Sequence, residues 1–457
     1  MSLISSVANF IQVHSSEYDA LALDIWNHPE PTYSEVRSSA VHRERLKSSG
    51  FRVIEYPEMA YSFVAEKGSG KPVIAFMGEY DALPLMSQVA EAIKRPAVEG
   101  APGHACGHNL LGVASLAAAE AAAAAMEEAG LPGTIRYYGC PAEEGLGRVN
   151  LVKAGRFNDA DAAFSWHPAD VNTPHRYATS AMLSLEFRFK GRASHAGMVP
   201  HAGRSALDAV QLMNLGIEFL REHVKPGTLL HYVITDGGAK ANIVPETAAV
   251  SLYVRGAKAA DVTATAKRVL KIARGAALMT ETSFVHEVKH GKCDYIPNDA
   301  LNDALYAAML ALPFPKPDAE ENAFARALTR TVAKTDREAS LSMIGAPISL
   351  LSKSQHLEVG DFGDGRRIGG SIDVGDVSYV VPVGQLNAAT WPLGIGAHTW
   401  QSAAASGGTW ALKAMRWAAA SLACAGVAVA GDPKLLAKAR AEHKKKSSPY
   451  RSPMDAV

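Results

Sequence analysis

The chain has 457 residues, of which 46 are basic and 46 acidic, so its formal net charge is zero, and 48% of its residues are hydrophobic. A neutral chain of ordinary composition gives no support to a nucleic-acid or anionic-membrane partner, so neither is expected. The length exceeds what one hydrophobic core usually serves, which predicts two domains. The cysteines are too few and too scattered for a disulfide framework, which indicates a reducing compartment. They are Cys106, Cys140, Cys293 and Cys424.

The N-terminal segment predicts a helix rather than a targeting signal. Residues 1–26 lack a basic start and a cleavage site. Leu3, Val7 and Phe10 recur there at helical spacing. The most apolar tract, residues 116–126, contains a glutamate and is too short to span a bilayer. We therefore expect a cytoplasmic protein without a membrane partner.

Short apolar runs and a helix alternate in the first third of the chain. The runs at 73–77, 134–139 and 161–166 predict buried strands. The alanine-rich tract predicts a helix over about 110–129, which ends at a Gly/Pro stop. This alternation indicates an α/β fold with a doubly wound, mostly parallel sheet.

The pattern changes after residue 180. Residues 182–190 alternate apolar and polar side chains, as a strand with one solvated face does. A helix over 203–223, two strands, a second helix and a final strand follow. The order β-α-β-β-α-β is the ferredoxin-like arrangement. We therefore predict an inserted domain over 181–292, and a discontinuous catalytic domain formed by 1–180 and 293–457.

The chain between the insert and the C-terminus is harder to interpret. Residues 311–345 carry a polar, helix-prone stretch, and residues 358–376 are rich in Gly and Asp. A phosphate-binding role for these glycines is disfavoured, because no apolar strand precedes them. A loop is the better prediction, and we expect the region 311–376 to form a wall of the substrate pocket.

The stretch "GAPGHACGHNLLG" over 100–112 carries the first candidate site residues. Cys106 and His108 are two positions apart, so on an extended segment both point the same way. A thiolate and an imidazole suit zinc and similar divalent ions. By themselves, the two residues fit a buried cysteine beside a structural histidine equally well.

Further candidate ligands follow predicted strands or lie in turns. Glu143 and Glu144 come just after the strand 134–139, and His167 follows the strand 161–166. In open α/β sheets, sites form outside the carboxyl ends of the strands. Two adjacent glutamates repel each other unless a cation or a proton intervenes. A metal ion that binds one glutamate as a ligand would remove this repulsion, and the other glutamate could then act as a base.

A set of motifs in chain order carries a resemblance to a known family. The motifs are "GEYDALP", "GHACGHN", "PAEEG", "WHP", "GRASHAG" and "GAHTW". Together, over residues of about 20–425, they resemble the aminoacylase-like amidohydrolase branch of the M20 metallopeptidases, and within it the aminobenzoyl-glutamate type. The more common members carry "DMDALP" and "CGHD". Here Asn109 replaces the acid of the second motif, which argues against an acidic role at that position.

The resemblance implies a metal-dependent hydrolase. Its metal ligands would be Cys106, His108, Glu144, His167 and His398, which suit two metals bridged by Cys106, or one at partial occupancy. A thiolate and imidazoles favour manganese, zinc, cobalt or nickel over magnesium or calcium. Glu143 would be the general base that moves a proton from water to the leaving nitrogen. Glu79, Asp81 and His104 would support the ligands.

The resemblance also places residues of the insert at the active site. His195, commonly reaching across from a partner subunit, would stabilise the oxyanion, although a structural turn histidine stays an alternative. Asn242 and Arg255 would bind the substrate, since an arginine fork suits a carboxylate. An ordinary surface arginine is the alternative. The implied assembly is a homodimer, or a complex with a sister subunit.

The leading hypothesis is hydrolysis of an N-aroyl or N-acyl amino acid, with p-aminobenzoyl-glutamate as the preferred substrate. One alternative keeps the site and removes an aryl amine from an aromatic acid. A second is a non-catalytic metal-binding subunit. A third is a thiol enzyme with Cys106 as nucleophile, which would survive a chelator and be inactivated by alkylation.

Overall fold

The computed structural model describes residues 3–455, and their contacts divide the chain into two units. The first unit comprises the residues up to Ala178, Ile296–Ile368 and Val377–Pro449. The second comprises Thr179–Tyr295, Gly369–Asp376 and the described residues from Tyr450 onward. Each unit has its own sheet, and the two are described separately.

The described residues form eleven strands and fourteen α-helices, here numbered in chain order. The strands are β1 Arg52–Glu55, β2 Phe63–Ser69, β3 Val73–Glu79, β4 Gly133–Cys140, β5 Ala162–Ala169, β6 Thr173–Pro174, β7 Ala181–Lys190, β8 Leu229–Asp236, β9 Thr247–Gly256, β10 Ser283–Lys292 and β11 Val383–Ala389. The helices are α1 Leu3–Val13, α2 Ser15–Asn27, α3 Val36–Ser48, α4 His108–Glu128, α5 Gly147–Lys153, α6 Ala206–Leu220, α7 Ala259–Thr280, α8 Asp299–Ala311, α9 Ala319–Thr329, α10 Lys334–Ile344, α11 Val374–Val377, α12 Trp400–Ser406, α13 Thr409–Gly431 and α14 Pro433–Lys446.

The first unit is built on a seven-stranded sheet with the order β1-β2-β4-β3-β5-β11-β6. The neighbours β4-β3, β3-β5 and β5-β11 are parallel. The pairs at the two edges are antiparallel. The central part is therefore parallel, as the alternation of apolar runs and helix predicts, and the carboxyl ends of β3, β4 and β5 lie at one edge.

Helices α4 and α13 pack against each other and against this sheet. Their small side chains allow close approach: a Cβ atom on Gly426 of α13 would lie 2.6 Å from the Phe76 ring of β3. Both helices have the length and hydropathy of a membrane-crossing segment, but 94% and 83% of their apolar windows are buried inside the fold. They are core helices of the first unit.

The second unit contains a four-stranded antiparallel sheet with the order β10-β7-β9-β8. Chain order is β7-α6-β8-β9-α7-β10, so the ferredoxin-like prediction is confirmed. Leu183, Leu185 and Phe187 of β7 are fully buried, as the alternation predicts. Ser184, predicted to face solvent, is also buried, because the first half of β7 is covered on both faces.

The structure corrects several details of the sequence analysis. The N-terminal segment forms two helices, α1 and α2, rather than one. Tyr450, which follows the last long helix, is held within the second unit. The Tyr450 hydroxyl donates to Asp376 at 2.8 Å within the second unit. Residues 369–376 also belong to that unit, where the Ser371 hydroxyl donates to the Ser180 carbonyl at 2.6 Å. Both segments are far from the insert in sequence, so sequence order assigned them to the catalytic domain.

Candidate metal centre

The candidate site lies where β3, β4 and β5 end in the first unit. Glu143 and Glu144 follow the last residue of β4. His167 lies inside β5, which runs three residues beyond the predicted strand. His398 precedes α12 and has a φ of 63°, in the left-handed region. Its backbone N–H donates to the Ala105 carbonyl at 2.9 Å, so this turn is attached to the cysteine-bearing segment.

The segment around Cys106 is a turn, and not the extended chain assumed from its spacing. Gly107 has a φ of 74° and immediately precedes α4, which begins at His108. A Cβ atom at Gly107 would lie 2.9 Å from the ring of Pro168, so both the conformation and the space require glycine. Cys106 and His108 reach a common region because the chain turns between them.

The five predicted ligands fall into two groups that share Cys106. One group is Cys106, His108 and His167, and the other is Cys106, Glu144 and His398. Within each group the possible ligand atoms all lie within 4.8 Å of one another. The Cys106 Sγ to His167 Nε2 distance is 3.5 Å, and the His398 Nε2 to Glu144 Oε1 distance is 3.0 Å. This is the arrangement expected of two cation positions with a shared thiolate.

Neighbouring groups fix the orientation of the histidine rings. The Nδ1 atom of His108 lies 2.9 Å from a carboxylate oxygen of Asp81, and that of His167 lies 2.6 Å from the Pro168 carbonyl. Each Nδ1 atom must therefore donate, which leaves Nε2 as the metal-facing atom. The other Asp81 oxygen accepts from the Glu144 backbone N–H at 3.1 Å, so one carboxylate orients two predicted ligands.

Charges at the site shift the pKa values of its members in opposite directions. Burial alone would raise the pKa of the Cys106 thiol, but His108 and His167 beside it lower that pKa well below its usual value. Burial opposes charge on His167 as well, yet Cys106 raises its pKa to about 9. Hydrogen bonding to Cys106 and Glu144 raises the pKa of His398 to about 10. The lowered pKa of Cys106 favours its thiolate, which is the form that binds a metal.

The donor set fits a divalent transition metal. It combines a thiolate, a carboxylate and three imidazoles, which is the chemistry of zinc and its neighbours. His108 Nε2 is buried and makes no well-formed hydrogen bond among the described residues, although Oε2 of Glu79 lies 3.2 Å away. A buried polar atom without such a partner is costly unless another ligand satisfies it, and a bound cation does so.

Glu143, the predicted base, is buried beside His108. Glu143, Glu79 and His108 form a third group whose possible ligand atoms lie within 4.8 Å of one another. The carboxylate of Glu79 also contacts Arg148, with 2.6 Å between Oε1 and Nη2. The sequence analysis did not single out Arg148, although an arginine in the apolar stretch after "PAEEG" is a visible signal.

A second residue that the sequence analysis missed is Glu35. One of its carboxylate oxygens accepts from the Ala142 backbone N–H at 2.8 Å, and Ala142 has a φ of 55°. Burial, and secondarily the charge of Asp81, raises the pKa of Glu35 to about 7. This contact fixes the strained residue that precedes Glu143.

His104 and Asn109 lie near the site and contact backbone carbonyl groups of neighbouring segments. His104 lies 3.2 Å from the Ile25 carbonyl, and burial lowers its pKa to about 3. Asn109 donates from its side-chain amide to the Ala22 and Ser406 carbonyls at 3.3 and 3.1 Å. An asparagine serves here where an aspartate would not, since both neighbours are acceptors.

His195 and Asn242 lie next to each other in the second unit. The Ala196 N–H donates to the Asn242 carbonyl at 3.0 Å, and residue 195 forms a β-bridge with Ile243. The His195 Nδ1 atom accepts from the Gly197 and Met198 backbone N–H groups, both at 3.2 Å. Because backbone N–H groups only donate, the ring proton must be on Nε2.

Arg255 has partners within the second unit. Its Nη1 atom donates to the Gly369 carbonyl at 3.2 Å and to the Ser371 hydroxyl at 3.0 Å. Part of the guanidinium thus secures the segment 369–371. A substrate carboxylate would have to accept from the other N–H groups of the Arg255 guanidinium.

Known proteins resemble this chain over nearly its whole length. Residues 177–279 match the peptidase dimerisation domain. The chain is 39% identical to one of the two subunits of p-aminobenzoyl-glutamate hydrolase of Escherichia coli, over 97% of this chain and 96% of that protein. The other of those two subunits is 30% identical over 42% of this chain and 46% of its own length.

The chain belongs to the M20 metallopeptidase family. It is thus a member of a family of metal-dependent amide hydrolases with a catalytic and a dimerisation domain, and the resemblance stated from its motifs is confirmed.

Solved structures show the same fold. An aminobenzoyl-glutamate utilization protein from Klebsiella pneumoniae superposes with a TM-score of 0.61 at 17% identity, covering 93% of this chain and 98% of that one. A dinuclear metal-binding peptidase of the M20 family from Bacillus subtilis superposes with a TM-score of 0.59 at 17% identity, covering 92% and 99%.

Proposed function

We propose that this protein hydrolyses the amide bond of an N-aroyl amino acid, with p-aminobenzoyl-glutamate as its substrate. The observation that carries the proposal is the pair of ligand groups sharing Cys106, with Glu143 beside them. The likeness to the Escherichia coli hydrolase, which extends over nearly the whole of both chains, supports the choice of substrate.

The chemistry divides between the cations and the side chains. Two divalent cations, when bound, polarise the amide carbonyl and lower the pKa of water. Glu143 takes a proton from the attacking water and passes it to the amide nitrogen. The carbon–nitrogen bond then breaks, giving an aromatic carboxylic acid and a free amino acid. Burial of Glu143 keeps bulk water from competing for that proton.

His195 would stabilise the oxyanion, reaching the site from a partner protomer as the family resemblance implies. Its Nε2 proton, fixed by the two backbone donors at Nδ1, supports this role. Loss of one such donor typically costs about 3 kcal/mol of transition-state stabilisation. Asn242 and Arg255 would bind the amino-acid carboxylate. The cations would be manganese or zinc, with cobalt or nickel as substitutes.

The assembly we propose is a dimer formed through the second unit, which matches the peptidase dimerisation domain. A homodimer is the simplest form. The Escherichia coli relative is one of two different subunits, so a sister chain is the other partner to test. The balanced charge and the scattered cysteines, none of which forms a disulfide among the described residues, support a cytoplasmic enzyme.

The proposal is tested by Glu143→Gln, which keeps the size of the side chain and removes its basicity. We expect kcat for p-aminobenzoyl-glutamate to fall about 10²–10⁴-fold, while metal content measured by elemental analysis stays at the wild-type value. Glu99→Gln, at an exposed loop position, serves as the control. An unchanged kcat in Glu143→Gln contradicts the assignment of the base.

A substrate panel distinguishes the reaction types. Amides of aromatic acids with glutamate are compared with amino-substituted aromatic acids that contain no amide. Release of glutamate supports amide hydrolysis. Release of ammonia from the second set would support the deamination alternative. Hydrolysis that survives chelation but not alkylation of Cys106 would support the thiol mechanism.

A further inference from the structure

An arginine is completely buried beside the metal centre. Arg148 is the second residue of α5, and its side chain has 0% exposure. Arginine is almost never fully buried unless it is paired. Its Nη2 atom lies 2.6 Å from Oε1 of Glu79, whose side chain is 4% exposed.

The second oxygen of Glu79 faces the metal site. Oε2 lies 3.2 Å from Nε2 of His108. Because Asp81 occupies Nδ1 of the same ring, Nε2 is the atom available to a cation. Glu79 therefore reaches the space in front of the His108 ligand atom, and so does Glu143, the third member of their group.

The carboxylates of Glu79 and Glu143 lie close together in this group, so their negative charges need a positive charge nearby. Like charges in a buried site repel each other, and a neighbouring positive charge offsets that repulsion. Arginine stays protonated at all relevant pH values, so Arg148 provides a permanent positive charge at the far side of Glu79. A cation bound in front of His108 would offset the negative charge on the other side of Glu79.

We propose that Arg148 and Glu79 form a positioning pair that adds a sixth protein donor to the metal centre. Glu79 supplies a carboxylate oxygen to the cation held by Cys106, His108 and His167. Arg148 fixes that carboxylate, so that Glu143 rather than Glu79 acts as the base. The pair thus strengthens one cation position and leaves the position at Glu144 and His398 unaffected. The inference rests on the proposed function, since it concerns the same centre.

Metal titration of the full-length apo protein tests the pair without reference to turnover. Zn²⁺ and Co²⁺ are titrated by calorimetry, with the thiolate-to-cobalt absorption as a second signal. Glu79→Gln should weaken one binding step at least about 10- to 100-fold, since that is already the effect of losing a group that only supports a metal ligand. His398→Ala should weaken a different step, because it removes a ligand of the other group.

Arginine variants separate positioning from simple packing. Arg148→Lys keeps the charge and should retain most of the affinity, whereas Arg148→Met should lose it as Glu79→Gln does. Arg148→Met leaves a buried carboxylate unpaired, which endangers folding. The double variant Arg148→Met/Glu79→Gln removes both charges, folds without that penalty, and should show the same weakened step as Glu79→Gln alone. Far-UV circular dichroism of each apo protein verifies folding.

The outcomes separate this inference from the proposed function. If the wild type binds no divalent cation, the proposed function fails. If the wild type binds metal and hydrolyses its substrate, but Glu79→Gln gives the same isotherm, only the positioning pair is wrong. The inference is also overturned if Glu79→Gln and His398→Ala weaken the same step, since the two residues would then serve one cation.

Discussion

At the residue scale, buried charges in the first unit have specific partners. Besides Glu79, Glu120 of α4 has a side chain that is only 1% exposed. It accepts from Arg45 through Nε at 2.9 Å and Nη2 at 3.0 Å, and from the Tyr18 hydroxyl at 2.5 Å. This cluster attaches α2 and α3 to the central helix α4.

Removing one partner of the Glu120 cluster should destabilise the protein strongly. Arg45→Met leaves a buried carboxylate without its cation, and we expect the free energy of unfolding to fall by about 3–5 kcal/mol. Arg52→Met is the matched control, because the Arg52 side chain is 72% exposed in its pair with Glu66. Exposed pairs contribute about 1 kcal/mol or less. Urea unfolding measures both, and equal losses would contradict the argument.

A buried aspartate makes stability depend on pH. Burial raises the pKa of Asp170 from 3.8 to about 6, although the Gly394 N–H donates to it at 2.8 Å. The native state therefore keeps a proton that the unfolded state has lost between about pH 4 and 6, so stability falls as pH rises through that window.

The variant Asp170→Asn should remove this pH dependence. The amide oxygen can still accept from Gly394, and the side chain no longer titrates. The stability of the wild type relative to the variant should therefore decrease by about 2 kcal/mol from pH 4 to pH 7. Urea unfolding at a series of pH values measures the difference. A constant difference would show that Asp170 has an ordinary pKa in the native state.

At the scale of elements, the contact between α4 and β3 positions the candidate site. A Cβ atom on Gly112 would lie 2.5 Å from the Glu79 carbonyl and 2.8 Å from Nε2 of His42. Glycine therefore allows the helix that begins at His108 to lie directly on the strand that ends at Glu79. Any larger residue would move His108 away from Glu79 in the candidate site.

Two helix glycines provide a matched test of this contact. Gly112→Ala introduces an overlap with the backbone and should destabilise by about 1–3 kcal/mol or more. Gly275→Ala in α7 meets no atom within 4 Å and should stabilise by about 0.5–1 kcal/mol, through helix propensity alone. Thermal unfolding measures both. A neutral Gly112→Ala would mean that the helix can move away from the strand at little cost.

At the scale of the whole molecule, the tryptophans report on one unit. All six lie in the first unit, and the second unit has none. They are Trp26, Trp166, Trp391, Trp400, Trp410 and Trp417. Intrinsic fluorescence therefore follows the unfolding of the unit that holds the metal centre.

Chelation should lower the stability of the first unit. A ligand present at 100 times its Kd stabilises the native state by about 2.7 kcal/mol, so its removal lowers the midpoint by several degrees. We expect EDTA to shift the fluorescence-detected midpoint downward and added Zn²⁺ or Mn²⁺ to restore it. A variant that lacks the ligand common to both groups, Cys106→Ala, is the control and should be insensitive to EDTA. An EDTA-insensitive wild type would argue against a structural contribution of the metal.

The sequence by itself determined the fold class, the ferredoxin-like insert and the family. Each of these predictions rests on a pattern within a short segment: an apolar run, its alternation with helices, or a motif. Such patterns can be recognised in the sequence alone. The same motifs supplied the five predicted ligands and Glu143, because each lies in a short segment with a recognisable composition.

Only the tertiary structure decided how these segments meet. It divided the ligands into two groups sharing Cys106, and it placed Arg148 and Glu35 against the site. It also assigned residues 369–376 and the described residues from Tyr450 onward to the second unit. These facts depend on side-chain contacts between segments distant along the chain, and nothing in the local sequence encodes such distances. Packing determines them, since a buried charge is tolerated only where the fold provides its partner.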